Sequence, residues 1–246
     1  MLIALMADIH GNREAFEACL AHARRAKAER FVFLGDYVGY GADPGWVVET
    51  VREQVRAGAV ALQGNHDAAA LGFDDDMNAD ARAAIRWTRG RIDADARAFL
   101  SGLPLTIRDG DVLYVHANAW APGAWGYVLG AVEAGRSLSR TEARVTICGH
   151  VHVPALYAMA PGRPACGHTP VPGVAVPLLA TRRWLAVMGA VGQPRDGNPA
   201  AAYGLFDDAR HALTIVRVAY DVETAARKII AAGLPPRQAA RLFLGR

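Results

Sequence analysis

The apolar runs in the first part of the chain are short, and five of them stop at polar side chains of similar kind. Residues 2–7 lead into Asp8-Ile9-His10, and residues 31–34 into Gly35-Asp36. Residues 60–62 lead into Gly64-Asn65-His66-Asp67, residues 112–115 into His116, and residues 145–148 into Gly149-His150-Val151-His152. Runs rich in Val, Ile, Leu and Phe without alternation predict strands buried on both faces. Between the first three, residues 12–27 carry Ala15, Phe16, Cys19, Leu20 and Ala23 at helical spacing behind Asn12 as N-cap. Residues 44–56 predict a second helix, with Asp43 as cap and Pro44 in the first helical position. Strand–helix–strand alternation predicts an α/β fold, whose sites lie at the carboxyl ends of strands, where these polar clusters fall.

Residues 78–100, rich in Arg, Ala and Asp, predict a helical insertion between the third and fourth runs. Beyond His152 the texture changes to strand-like segments punctuated by Gly and Pro, at 156–159, 174–179, 183–188, 202–206 and 212–220. The last alternates partly, as a strand with one solvated face does. Residues 221–232 and 235–244 predict two closing helices separated by Gly233. With no internal repeat or linker, residues 1–246 are expected to form a single domain.

Composition narrows the classes. Hydrophobic residues make up 52% and charged residues 21%, which excludes disordered, collagenous and coiled-coil chains. The net charge of +3 is too mild to argue for nucleic acid, and a nuclease would want a broad basic groove. Only Lys27 and Lys228 are lysines among 27 basic residues, a bias that reads as genome composition rather than a binding surface. The cysteines, Cys19, Cys148 and Cys166, are odd in number and widely spaced, which argues against disulfides or a zinc ribbon and fits a reducing cytoplasm. Asp8 interrupts the first apolar run well short of a membrane span, so no membrane partner is expected.

Any one Asp-x-His pair or strand-end histidine is ordinarily a capping or turn residue. Five of the eight histidines at the ends of successive apolar runs, beside Asp8, Asp36, Asn65 and Asp67, point instead to a metal or catalytic site. The ordered set Asp8-x-His10, Gly35-Asp36, Gly64-Asn65-His66-Asp67, His116 and Gly149-His150-x-His152 resembles the calcineurin-like metallophosphoesterase superfamily. Gly39-Tyr40-Gly41, Trp125-Gly126-Tyr127 and the segment 189–199 look like its small bacterial and archaeal phosphodiesterase branch.

The resemblance implies a four-layer α-β-β-α sandwich, two packed mixed sheets flanked by helices, with two divalent metals at its rim. It places Asp8, His10, Asp36 and His152 on one metal and Asp36, Asn65, His116 and His150 on the other, with Asp36 bridging. Imidazole, carboxylate and amide without thiolate suit Mn, Fe or Zn. Two dications against two carboxylates leave the site cationic, attractive to phosphate and able to hold hydroxide at neutral pH. The activity implied is hydrolysis of small phosphodiesters, nucleotides among them, by in-line attack of a metal-bound hydroxide. The alternatives are a phosphomonoesterase, a dinucleoside-polyphosphate hydrolase, or a protein-binding scaffold of the kind that arises when ligands are lost. His66, spared from coordination, would bind the phosphate or protonate the leaving oxygen as the catalytic residue, with Asp67 structural.

The chain departs from the superfamily's protein phosphatases at Gly39-Tyr40, where they carry Asp-Arg. This removes a carboxylate partner of the catalytic His and a phosphate-gripping Arg, and argues against a phosphoprotein substrate. His116 is followed by Ala117-Asn118 in place of Gly-Ser. Tyr37, Tyr40, Trp120, Trp125 and Tyr127 either stack a nucleobase or pack their own loops. Arg195 either grips phosphate or pairs with Asp196. Arg195 and Tyr40 are carried as the substrate-binding candidates.

Overall fold

The computed structural model describes residues 1–73 and 77–246. In chain order the elements begin with β1 (Leu2–Met6), α1 (Arg13–Arg25), β2 (Arg30–Phe33), α2 (Pro44–Arg56), β3 (Val60–Ala61) and α3 (Asn65–Ala70). Next come α4 (Ala79–Arg89), α5 (Ala94–Ser101), β4 (Thr106–Asp109), β5 (Val112–Val115), α6 (Ala131–Leu138) and β6 (Val145–Cys148). The chain continues through β7 (Ala155–Met159), β8 (Cys166–His168), β9 (Val176–Pro177), β10 (Arg183–Val187), β11 (Ala201–Asp207) and β12 (Ala212–Val218). It closes on α7 (Val222–Ala231) and α8 (Pro236–Leu244).

Two mixed six-stranded sheets result, in the orders β3-β2-β1-β11-β12-β9 and β4-β5-β6-β10-β7-β8. In the first, β1, β2 and β3 run parallel and the other pairs antiparallel; in the second, β6 runs parallel to both β5 and β10. The sheets pack face to face. Ile3 and Leu5 of β1 lie in the core between the sheets with Val32, Tyr114, Ile147, Trp184 and Phe206. Ala4 and Met6, one residue out of phase, face Phe16, Leu20, Val47 and Val51 of α1 and α2. A strand packed on both faces needs apolar residues at every position, which is why β1 shows no alternation. On the far side Val115, Leu185 and Val187 meet Ala134 and Leu138 of α6. Helix, sheet, sheet and helix thus stack as expected.

The five motif-bearing runs form strands, and both closing helices are present. Three details differ. The predicted strand at 174–179 shrinks to Val176–Pro177, since Gly173 has positive φ and the stretch runs at the edge of its sheet. The short β4 and β8 lack an apolar run because they are exposed outer strands. The predicted insertion helix divides into α4 and α5. Asn12 caps α1 by accepting from the Ala15 N–H at 3.1 Å; Asp43 holds the N-cap position of α2 as expected, but its carboxylate makes no cap bond and accepts from Lys228 at 2.9 Å instead. No described helix is long and apolar enough to cross a membrane.

Tyr37 fastens the strand ends that carry the motifs. It is fully buried, and its hydroxyl donates to the Leu62 carbonyl at 2.7 Å while accepting from the Leu62 N–H at 3.1 Å. It is therefore a packing residue, not a base-stacking one. Replacing it with Phe leaves the buried Leu62 carbonyl without its donor, while the Leu62 N–H keeps the Phe33 carbonyl at 2.9 Å. Tyr37→Phe is expected to lower unfolding free energy by about 1–3 kcal/mol in urea denaturation, and an unchanged midpoint would contradict this role.

Candidate metal centre

Asp8, His10, Asp36, His150 and His152 all sit just past strand ends with φ between 49° and 66°. This left-handed conformation is costly for residues with a Cβ and persists where surrounding contacts fix it. Backbone hydrogen bonds between loops do so here: Asp8 N–H to Gly35 O at 3.1 Å, His10 N–H to Asp36 O at 2.9 Å, and Gly192 N–H to Asp8 O at 2.9 Å. The Asp67 carboxylate adds a hub. One oxygen accepts from the Asp36 and Gly64 N–H groups at 2.8 and 2.9 Å, the other from those of Tyr37 and Val38 at 2.9 and 3.4 Å. It locks the turn after β2 to the turn after β3, the structural role expected of it. Gly64 is required beside it, because a Cβ there would fall on Asp36 Oδ1.

The loops bring Asp8, His10, Asp36, His116, His150 and His152 into mutually close groups of ligand-type atoms, with His66 against His10 and Asp36. His10, His116 and His152 each direct Nδ1 at a backbone carbonyl, of Val38 at 3.0 Å, Leu34 at 2.7 Å and Gln193 at 2.6 Å. A carbonyl only accepts, so Nδ1 carries the proton and Nε2 is left as a bare lone pair. Those lone pairs converge on other acceptors. His10 Nε2 is 3.1 Å from His152 Nε2 and 3.6 Å from Asp36 Oδ2. His152 Nε2 is 3.4 Å from Asp8 Oδ1, an oxygen with no hydrogen-bond partner. On the other side, His116 Nε2 lies 3.5 Å from Asp36 Oδ1 and 3.1 Å from Asn65 Oδ1. His150 gives its Nε2 proton to the Trp125 carbonyl at 2.8 Å, leaving Nδ1 bare.

Buried acceptors that face acceptors are unfavourable unless a cation or proton lies among them. This set of oxygens and imidazole nitrogens is one that divalent cations satisfy. Asp36 has one carboxylate oxygen toward each group of donors.

His66 is buried, its ring 4.7 Å from that of His10 and 4.5 Å from that of Tyr40, and its Nδ1 has no partner. The cause is Gly39: a Cβ at that position would land on His66 Nδ1, so the side chain missing from position 39 is the one that would have faced this nitrogen. Tyr40, itself buried, also packs on His10 at 4.6 Å and holds the Arg195 guanidinium over its ring at 5.6 Å. Arg195 does not pair with Asp196, which bonds Arg217. It donates to Gln193 Oε1 at 2.9 Å and is close enough to act electrostatically on Asp8, His10, Asp36, His66, His150 and His152.

Beyond Asn65 and His150 opens a cleft of about 430 Å³ whose other walls include Phe73, Ala124, Trp125 and Tyr127. Tyr127 stacks on the His150 ring at 4.1 Å and is about half exposed. Asn118, the departure from Gly-Ser, builds this wall: it donates to Gly126 O at 2.8 Å and accepts from the Trp120 and Ala121 N–H groups at 3.1 and 2.9 Å. Trp120 lies under Arg136 rather than in the cleft. Nothing in the sequence alone separated Trp120 from Trp125; only their different neighbours do.

A model of the calcineurin-like phosphoesterase superfamily domain matches residues 1–209. The chain belongs to that superfamily, a group of metal-dependent phosphoester hydrolases. It is 34% identical to an uncharacterized protein of Methanocaldococcus jannaschii, covering all of this chain and 98% of the relative. It is also 34% identical to a metallophosphoesterase of Sphaerobacter thermophilus of known crystal structure, with a TM-score of 0.88 over all of this chain and 99% of the other. A hypothetical protein of Pyrococcus horikoshii shares the fold, with 17% identity and a TM-score of 0.81, covering all of this chain and 98% of the other.

Burial governs how the metal-free site titrates. It lifts the Asp8 carboxyl from its ordinary 3.8 to about 8 and Asp36 well above the carboxylate range. It lifts Asp67 to about 7 against the four N–H donors that pull it down. These raised carboxyls stabilise the fold fully below about pH 4, and that stability is lost as pH rises toward 8. The buried imidazoles act oppositely: His66 and His116, held down to about 3, stabilise the fold above pH 6.5 and lose it as pH falls. Between pH 6.5 and 8 the last protons leave the unfolded chain's histidines and offset part of the carboxyl effect, which prevails. Chelator-treated protein is expected to lose on the order of 2 kcal/mol across that interval, roughly 4–8 °C in Tm, and added Mn²⁺ to restore more at pH 8 than at 6.5. A flat metal-free Tm over this range would contradict the assignment.

Proposed function

We propose that this protein is a dinuclear metal-dependent phosphoesterase acting on small phosphodiesters, nucleotide esters among them. The observation that carries this reading is the Asp36 carboxylate, turned with one oxygen toward each of two groups of donor atoms. Asp8, His10, Asp36 and His152 would hold one divalent cation, and Asp36, Asn65, His116 and His150 the other. When bound, the two cations would polarise the phosphoryl oxygens and lower the pKa of water near 7. The metal is expected to be Mn, Fe or Zn.

The chain's own groups account for the rest. Arg195 is placed to offer guanidinium donors to a phosphate anion, as planar guanidinium does well. The aromatic wall of Trp125 and Tyr127 offers faces to a planar ester group, and the cleft beside it is of a size for a small ligand rather than a protein surface. Burial, with the Arg195 guanidinium as a neighbouring cation, keeps His66 neutral at neutral pH. With no carboxylate behind its Nδ1, His66 is set to donate a hydrogen bond to the leaving oxygen, and to matter most when that oxygen is basic.

Two tests follow. Chelator-stripped protein is expected to hydrolyse bis-p-nitrophenyl phosphate only after addition of Mn²⁺, with activity that saturates; folded, metal-binding protein with no turnover on any divalent ion would end the diesterase reading. His66→Ala is expected to lower kcat/KM by about 10²-fold or more for an alkyl diester and far less for the p-nitrophenyl ester. Equal losses on both would exclude a role at the leaving group.

A further inference from the structure

Tyr40, which packs on His10 and His66, also lines a second cavity, of about 390 Å³, with Asn78, Asp80, Arg237, Gln238 and Arg241. Its walls include Asn78 and Asp80 at the start of α4 and Arg237 and Gln238 at the start of α8, whose first helical residue Pro236 has no N–H and whose Gln238 N–H is taken by the Pro235 carbonyl at 2.9 Å. Arg237 and Arg241, four residues apart, lie on one face of α8, an arrangement in which like charges repel. Arg195 approaches from the 193–195 loop. Its guanidinium and that of Arg241 converge on one neutral acceptor, Gln193 Oε1, at 2.9 and 3.4 Å. Among the described residues none of the three arginines enters an ion pair within 4.0 Å. Among the described lining residues Asp80 is the one carboxylate beside the guanidiniums of Arg237 and Arg241, and the Arg195 guanidinium adds a third positive charge next to Arg241. The buried Gln238 orients its Oε1 to Gln193 at 2.9 Å, which leaves its Nε2 with two protons and no acceptor. Unpaired positive charge and a buried donor without a partner together lack one thing, an anion.

We propose that Arg195, Arg237 and Arg241 form a second anion site that takes a phosphate group other than the one being hydrolysed. Tyr40 borders both sites, and Arg195 links them: it lies at 5.6 Å over Tyr40, the neighbour of His10 and His66, and shares Gln193 Oε1 with Arg241. That spacing suits a substrate with a further phosphate adjoining its scissile ester, and it equally admits a free phosphate anion. The arginines of α8 lie beyond the residues matched by the superfamily model, so the site belongs to the C-terminal helices of this chain rather than to the shared motifs. The source of the phosphate rests on the phosphoesterase reading; the existence of the site does not.

The test therefore has a binding arm free of catalysis. Metal-free full-length protein is titrated with sodium phosphate against sodium chloride of equal ionic strength, and binding is followed by calorimetry and by Tm. Wild type is expected to bind, and Arg237→Ala/Arg241→Ala to bind about tenfold or more weakly, with Arg237→Ala alone between the two. Arg237 is exposed and Arg241 half-buried, and the variants' Tm without phosphate checks their folding. In the second arm AMP and ADP, which differ by one phosphate, compete with bis-p-nitrophenyl phosphate at fixed free Mn²⁺. If ADP inhibits better than AMP and the double variant removes that advantage, the site holds a substrate phosphate. If both inhibit alike while arginine-dependent phosphate binding persists, it holds a free anion. Wild type and double variant binding phosphate equally, or neither binding it, would overturn the proposal whether or not the diester turns over. Arginine-dependent binding without turnover would uphold it while removing the diesterase reading.

Discussion

Lone pairs that face lone pairs in a buried space set the problem this structure solves. His10 and His152 meet Nε2 to Nε2 at 3.1 Å because their Nδ1 protons are already committed to carbonyls, and Asp8 Oδ1 beside them has no donor at all. No rearrangement of protons within neutral imidazoles relieves this, since each ring has one proton and it is spent. The fold holds the contact anyway, at the cost of left-handed backbone at Asp8, His10, Asp36, His150 and His152. A protein that maintains so unfavourable an arrangement has it balanced by something it binds, and the chemistry of the donors makes that a divalent cation.

The scaffold that enforces the arrangement is hydrogen-bonded rather than apolar. Sheet packing brings five strand ends to one rim, but it does not determine how the loops beyond them turn. The Asp67 carboxylate, accepting from four N–H groups, ties Asp36 and His66 into one rigid unit. Asn118 does the same for the aromatic wall beyond His150. Both keep their acceptors filled from the backbone, so neither is free to ligate a metal. Tyr40 and Gly39 then replace a charged pair with a ring and a gap. The ring packs against His10 and His66, and the guanidinium lost from position 40 has a counterpart in Arg195, from a distant loop.

Much of this was legible in the chain. Unalternating runs ending in Asp or His located the strands and the rim, since a strand packed on both faces has no polar position until it ends. The closing helices and the Asn12 cap were readable from spacing. Asp43 stands at the predicted N-cap, but a carboxylate before a helix has two uses, and here Lys228, 185 residues away, takes it from the backbone. The edge strands β4 and β8 were missed because exposed strands carry no hydrophobic signature. The role of Arg195 was undecidable from sequence: its neighbour Asp196 suggested a local pair, and only the fold shows Asp196 taken by Arg217. Gln193, Gln238, Arg237 and Arg241 gave no signal, since their meaning arises when α8 folds back beside Tyr40.

The central claim is that two cations share Asp36, and counting bound metal tests it most directly. Chelator-stripped protein titrated with Mn²⁺ and assayed for bound metal is expected to reach two ions per chain. In Asp36→Asn, with the fold verified by its thermal transition, both ions should bind much more weakly, because the amide has one ligand oxygen where the carboxylate has two. A wild type that binds a single ion, or a variant that loses one and keeps the other at full affinity, would contradict the account.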